Sequence, residues 1–422
     1  MRSILSIVGV ILLLAACASD RPDAPEVRLL KADAPRTESP DVGSAQVAKL
    51  VRGNNDFAFD LYSTEGGEDD LIFSPYSISL AFSMAYAGAR SETEAQMAET
   101  LQFLPQGTQH LAFNAIDQRM SGLEEKVGGD AAIPFRLNVA NAAWGQQGYR
   151  FEDAYLRTLA ADYGAGLRTI DFGQPEKASE EINAWISSQT EDRIKDLVSP
   201  DIIDPTTRLV LINAVYFKAS WLSRFDESHT KDGPFTLLDG GETTVPMMRQ
   251  TTYLDYADGD GYQAVRLPYK GKAADMLVIL PDEGRFGTVE ARLNAGFLDE
   301  VEDSLDTKYV KLTMPRFDFE TDLDLIKLLE RMGMTAPFDS GVADFSGITG
   351  GKDLYISDVL HRANITVDEK GTEAAAATVL AMAESSTPQV TEMTMDRPFI
   401  FAIVERGTGT ILFLGRVTNP QK

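Results

Sequence analysis

The chain of 422 residues contains three histidines, His110, His229 and His361, and a single cysteine, Cys17. The histidines lie far apart and match no His-x-x-x-His or related spacing, so no metal site is indicated. There is no Gly-x-Ser-x-Gly elbow and no phosphate-binding glycine-rich loop. A hydrolase would need a nucleophile, a base and an orienting group, and three scattered histidines give that reading little support. The stretch that stands out is residues 369–397, which opens Glu369-Lys370-Gly371-Thr372-Glu373-Ala374-Ala375-Ala376-Ala377-Thr378. It is too poor in bulky apolar side chains to hold itself in a core, yet Ala and Thr stand where a flexible tether would carry Gly, Ser and Pro. Propensity allows a short helix over residues 373–382. Alternation instead puts Thr372, Ala374, Ala376 and Thr378 on one face of small side chains, with Glu373 on the opposite phase. That face suits a strand able to slip into the middle of an existing sheet. Local sequence leaves both readings open.

The elements around this stretch follow from patterning. Met1-Arg2, an apolar run through Leu14 and small residues before Cys17 read as a secretory signal, too short to span a bilayer comfortably. Leu14-Ala15-Ala16-Cys17 resembles the bacterial lipobox, which makes residues 1–16 a lipoprotein signal peptide and Cys17 the lipidated first residue of the mature chain. The alternative is an ordinary signal peptide that contains a cysteine. Ala18 and Ser19 follow instead of an Asp, so sorting to the outer membrane of a Gram-negative host is expected, facing the periplasm or the exterior. Residues 17–45 are rich in Pro, Asp and Ala and read as a flexible tether. Residues 46–422 read as one domain, since no second linker or repeat interrupts them.

Val47, Leu50, Val51, Ala58, Leu61 and Tyr62 recur at helical spacing. Ser74 can cap, and Pro75 can open, a second helix that is apolar nearly all round. Ser91 with Glu94 offers a capping box for a third. Residues 137–144 suit a strand, and residues 152–163 and 182–198 suit helices. Residues 208–218 are apolar on both faces and so central in a sheet, and Asn213 within them requires a buried partner. Further strands are expected over 262–267, 275–280, 308–317, 398–404 and 410–417. A helix with Leu323, Ile326, Leu329 and Met332 inside should stop at Gly333. Helices come first and strands dominate later, with few β-α-β alternations, so the class is α+β. The formal net charge of −25, 39 basic against 64 acidic residues, excludes nucleic acid and an anionic membrane surface as partners. Contact with a membrane is expected through the lipid anchor only.

Six ordered runs carry a resemblance. They are Asn213-Ala214-Val215-Tyr216-Phe217-Lys218-Ala219-Ser220-Trp221, Val245-Pro246-Met247-Met248, Ala343-Asp344-Phe345-Ser346-Gly347-Ile348, residues 354–368, Asp396-Arg397-Pro398-Phe399-Ile400-Phe401, and residues 412–420. Together they resemble the serpin family from about residue 47 to residue 420, with Ala219 standing where the family usually has Gly. The resemblance implies a metastable, monomeric α+β fold of three β-sheets and about nine helices, with loop 369–397 exposed at one pole. It implies a suicide-substrate inhibitor of serine, and in some cases cysteine, endopeptidases. A protease attacks the loop and forms an acyl-enzyme. The hinge (Glu369, Gly371, Thr372, Ala374, Ala375, Ala376, Ala377 and Thr378) then enters the central sheet and drags the protease to the opposite pole. The resemblance also implies a shutter of Ser74, Ser77, Asn213 and His361 where the central strands part, and a breach at Trp221. Taken alone, each of these five also reads as a capping or core residue.

Counting seventeen residues from Glu369 places the reactive bond between Ser385 and Ser386. Counting back from Pro398 moves it two residues on, against Pro388, where proline disfavours cleavage. Ser385 suits elastase-like or subtilisin-like targets; the alternatives, Glu384 and Met382, suit glutamate-specific and chymotrypsin-like enzymes. No Arg or Lys lies between Thr372 and Asp396, which disfavours trypsin-like targets. Relatives activated by polyanions carry a basic helix, whereas residues 110–127 hold only Arg119 and Lys126 against Asp117, Glu124 and Glu125. No polyanion or other cofactor is therefore expected. The small hinge residues favour an inhibitor over the alternative, a non-inhibitory serpin acting as a surface binding protein.

Overall fold

The computed structural model describes residues 27–127, 136–203, 206–372 and 389–421. Seven strands form a first sheet, in the spatial order β1 (Arg28–Leu30), β4 (Leu167–Ile170), β3 (Arg136–Gln146), β5 (Leu209–Ser220), β13 (Gly371–Thr372), β12 (Ile356–Asp368) and β11 (Phe317–Asp324). β5 is buried on both faces, as expected for a central strand: Ile182 and Ile186 cover Val210, Ile212 and Ala214 on one, while apolar side chains of residues 75–86 and of the second sheet cover Leu209, Leu211, Val215 and Phe217 on the other. Nine strands form the second sheet: β14 (Val390–Thr394), β10 (Asp306–Pro315), β7 (Glu242–Gly259), β8 (Tyr262–Pro268), β9 (Ala274–Pro281), β15 (Phe399–Glu405), β16 (Ile411–Val417) and β2 (Leu71–Phe73), with β6 (Lys231–Thr236) also on β7. The resemblance implies three sheets; among the described residues the pairings join into two, because the eighteen-residue β7 carries β6 at its start and β8 at its end.

Ten α-helices lie among the described residues: α1 (Ser44–Glu65), α2 (Pro75–Tyr86), α3 (Ser91–Thr100), α4 (Gln106–Val127), α5 (Asp153–Tyr163), α6 (Pro175–Gln189), α7 (Phe286–Glu290), α8 (Ala295–Asp303), α9 (Leu325–Arg331) and α10 (Ser346–Thr349). None is long and apolar enough to cross a membrane. Every residue of α2 is buried; Ser74 accepts a hydrogen bond from the Ser77 N–H and Pro75 occupies the first turn, as its sequence requires.

Several boundaries differ from the sequence reading for definite reasons. The Ser91–Glu94 capping box does not form, because the Ser91 hydroxyl donates to the Asp344 carboxylate at 3.0 Å while Arg90 takes the cap position. Leu323 belongs to β11 opposite His361, and Asp324 caps α9 by accepting from the Lys327 N–H, so the helix starts later than the apolar spacing suggests. Chain continuity from β10 to β11 breaks at Arg316, and α6 ends at Gln189, leaving residues 190–199 irregular against the sheet.

The tether reading also changes. From Val27 onward the segment is docked: β1 pairs antiparallel with the edge strand β4. Lys31 Nζ donates to the Gly164 carbonyl, and Arg36 reaches Asn114 and Asp117 on α4. The Thr37 N–H bonds to the Ala161 carbonyl on α5 at 2.8 Å, and its own carbonyl accepts from Asn114 and Gln118. Composition hides this because the segment's partners are backbone groups and side chains far away in sequence.

Candidate functional site

At the centre of the first sheet, β5 and β12 run parallel and pair from Leu209↔Ile356 up to Tyr216↔Asn364. Above that point they part. The chain leaves β12 at Asp368, turns, and comes back down as β13, so that Gly371 and Thr372 pair antiparallel with both β12 and β5. The start of the small-residue stretch is thus already lodged between two strands that are closed below it.

The closed seam is held by a row of polar side chains. Asn141 on β3, Asn213 on β5 and His361 on β12 are direct cross-strand neighbours. His361 Nε2 accepts from the Ser74 N–H at 3.3 Å, which leaves the proton on Nδ1, bonded to Asn213 Oδ1. The Asn213 amide then donates to Ser77 Oγ and Asn141 Oδ1, both at 2.6 Å. Ser77 Oγ donates on to Asn141 Oδ1, and the Asn141 amide returns a bond to the Ser77 carbonyl. Ser74, Ser77, Asn213 and His361 are therefore brought together as one satisfied network tying α2 to the seam. Burial pushes the His361 imidazole down to about 3, so it is neutral at ordinary pH.

The open end is built around Trp221. Its indole N–H donates to the Asp368 carbonyl at 2.9 Å and its backbone N–H to the Lys370 carbonyl at 3.0 Å. Its ring stacks on Tyr269 at 4.6 Å, and the Tyr269 hydroxyl bonds to that of Thr372 at 2.9 Å. Glu369, buried beside them, is gripped by the Arg316 guanidinium at 2.6–2.8 Å and by the Thr230 hydroxyl. Burial alone would raise the Glu369 carboxyl, but these hydrogen bonds outweigh it and hold it below the usual value. Gly371 has φ of +149°, and a Cβ there would stand 2.2 Å from the Ala219 carbonyl oxygen, so only glycine fits the entry point.

Cys17, Ala374, Ala375, Ala376, Ala377, Thr378 and the reactive-bond candidates Met382, Glu384, Ser385 and Ser386 lie outside the described residues. Sequence reasoning missed Asn141, Tyr269, Arg316 and Thr230. Asn141 could have been found, since it interrupts an apolar strand as Asn213 does; the other three carry no local signal. Among the described residues no cluster of His, Cys, Asp or Glu could hold a metal ion.

Comparison with known proteins agrees with this geometry. Residues 52–420 match the family model described as serpin (serine protease inhibitor). An uncharacterised serpin-like protein of Thermococcus kodakarensis is 41% identical over 395 residues, 92% of this chain and 89% of its own. The leukocyte elastase inhibitor of Bos taurus is 36% identical over 390 residues, 88% of this chain and 100% of its own. The crystal structure of human thyroxine-binding globulin with thyroxine superposes with a TM-score of 0.79 at 30% identity, covering 89% of this chain and 100% of that one. The chain belongs to the serpin family and has its α+β architecture.

Proposed function

We propose that the protein is a suicide-substrate inhibitor of serine endopeptidases that traps its target as an acyl-enzyme by drawing the cleaved loop into the first sheet. The observation that carries this reading is the position of β13, which points down the line between β5 and β12. Insertion would exchange one parallel ladder, the eight residue pairs from Ile356↔Leu209 to Asn364↔Tyr216, for two antiparallel ones. Each added ladder bond contributes on the order of 1 kcal/mol net, so roughly ten could drive a displacement of about 40 Å, the length of a twelve-residue strand. By alternation along an inserted strand, Thr372, Ala374, Ala376 and Thr378 would supply a small inward face, with hinge residues Ala375 and Ala377 on the opposite phase, and Ser74, Ser77, Asn213 and His361 would be the shutter that must open. Trp221 marks the breach where entry begins.

The reactive bond in this reading is Ser385–Ser386, and the targets are elastase-like, subtilisin-like or chymotrypsin-like. The protein acts as a monomer, without a polyanion cofactor, held at the cell envelope by a lipid on Cys17. Incubation with those three classes of protease, followed by a denaturing gel and the mass of the released C-terminal peptide, tests it. A covalent band and a peptide starting at Ser386 are expected; cleavage without a covalent band favours the second reading, a non-inhibitory binding serpin, which the likeness to thyroxine-binding globulin supports. Metabolic labelling with a fatty acid, lost in Cys17→Ala, tests the anchor.

A further inference from the structure

Three stretches far apart in the chain meet around one hollow. They are residues 236–238 at the end of β6, residues 281–287 where β9 runs into α7, and residues 396–398 between β14 and β15. The Thr236 N–H bonds to the Asp396 carbonyl at 2.8 Å, and Arg397 Nε donates to the Pro281 carbonyl at 2.8 Å, so the three are tied to one another. The hollow is therefore formed before anything enters it, as small-molecule sites usually are. Its volume of about 370 Å³ suits a small organic molecule.

The lining is of two kinds. Pro281 and Pro398 are buried, Leu237 and Phe286 half-buried, and Leu238 is 36% exposed, which gives an apolar surface on which a hydrocarbon body gains by leaving water. Beside it stand Asp282, Glu283 and Asp396. Arg397 answers Asp396 at 2.7 Å, but Asp282 and Glu283 make no ion pair among the described residues, and the adjacent Arg285 reaches Asp260 instead. Three carboxylates against one guanidinium leave a formal charge of −2 next to the apolar surface. An anion is repelled there, and a neutral molecule leaves the two acids unanswered; a cation with an apolar body complements both.

We propose that this hollow binds a small organic cation, an aromatic or branched aliphatic body carrying one amine, with the body against Leu238, Phe286, Pro281 and Pro398 and the ammonium toward Asp282 and Glu283. The proposal needs neither reading of the 369–397 loop. Because Asp396 and Arg397 belong to the link from β14 to β15, the occupant would fasten that link to the β9–α7 turn, and amide exchange along it should slow on binding.

The probes are tryptamine and indole-3-propionate, which share an indole on a two-carbon arm and differ in the sign of their charge at neutral pH. Each is titrated into the full-length protein at low salt, with binding read by ligand-observed NMR. Tryptamine should bind with a Kd on the order of 1 mM, and indole-3-propionate about tenfold more weakly or worse. Asp282→Asn/Glu283→Gln should weaken tryptamine about fivefold or more without weakening indole-3-propionate, and added salt should narrow the gap between the two probes in the wild type. Leu238→Lys, which removes an apolar wall and brings a cation to the mouth, should abolish tryptamine binding; all three side chains are exposed, so these variants keep the fold. Hydrogen exchange with tryptamine bound should slow over residues 236–238, 281–287 and 396–398. Equal affinity for the two probes, binding that neither variant weakens, protection that falls elsewhere, or no binding of tryptamine by about 10 mM overturns the proposal.

Discussion

His361 on β12 stands directly opposite Asn213 on β5, and the two side chains are bonded across the seam along which the sheet would have to open. Because His361 Nε2 is occupied by the Ser74 N–H, the Asn213 carbonyl is the acceptor that satisfies the other ring nitrogen. Asn213→Leu fits the apolar strand but orphans the His361 Nδ1–H and removes the donor shared by Ser77 and Asn141, which keep only their bonds to each other. It is expected to lower the unfolding free energy by about 1–3 kcal/mol, read from urea denaturation, and to hasten spontaneous loss of the native state on warming. An unchanged midpoint contradicts the role given to the network.

The same burial makes stability depend on pH. The imidazoles of His361 and His110 are pushed down to about 3 and about 4. In the unfolded chain each titrates near ~6.5, so between the two values the unfolded chain holds protons that the folded one does not. Stability is fully present above pH ~6.5 and falls as pH falls below it, by up to about 1.4 kcal/mol per pH unit for each histidine. Carboxylates such as Glu369, also held low, add the same trend only nearer their own range. Unfolding midpoints between pH 5 and 7 should fall less steeply in His361→Gln than in the wild type; equal slopes exclude His361 as a source.

Arg316 holds Glu369 from a half-exposed position, whereas the carboxylate itself is 3% exposed. Arg316→Ala leaves that buried charge with the Thr230 hydroxyl and a backbone N–H and is expected to cost about 1–2 kcal/mol. The effect should be local: hydrogen exchange should quicken at Lys370, Gly371 and Thr372, where the chain turns into β13, before it quickens in β5.

The docked segment before α1 makes a further prediction. Arg36→Ala with Leu30→Ser removes the ion pair to Asp117 and the apolar contact of β1. The amide of Thr37 should then exchange rapidly, the segment should become sensitive to proteases, and the unfolding temperature should drop by a few degrees. Protection of Thr37 unchanged in the variant means the segment is held by its backbone pairing alone.

Much of this was legible from residue types. The α+β class, the central placement of β5 and the need of Asn213 for a buried partner follow from an apolar run with one amide in it. Of the residues the sequence reading assigns to a hinge, only Glu369, Gly371 and Thr372 lie among the described ones. What was not legible depends on distance along the chain. Arg316 reads as an ordinary basic residue between two strands, and only the fold brings it to Glu369. Ser91 sits in a good capping pattern, yet its hydroxyl donates to Asp344, 253 residues away. Residues 27–43 lack apolar periodicity because their bonds go to helix side chains and backbone edges.

The most direct measurement of the spring-loaded reading is thermal unfolding before and after a single nick in the loop. An elastase-like enzyme is added in equimolar amount, because a trapped enzyme does not turn over, the nick is confirmed by mass, and the unfolding temperature is recorded. If the cut segment becomes a middle strand between β5 and β12, the gain of a ladder should raise that temperature by on the order of ten degrees or more. A nicked protein that unfolds at the same temperature as the intact one, and releases an active protease, contradicts it.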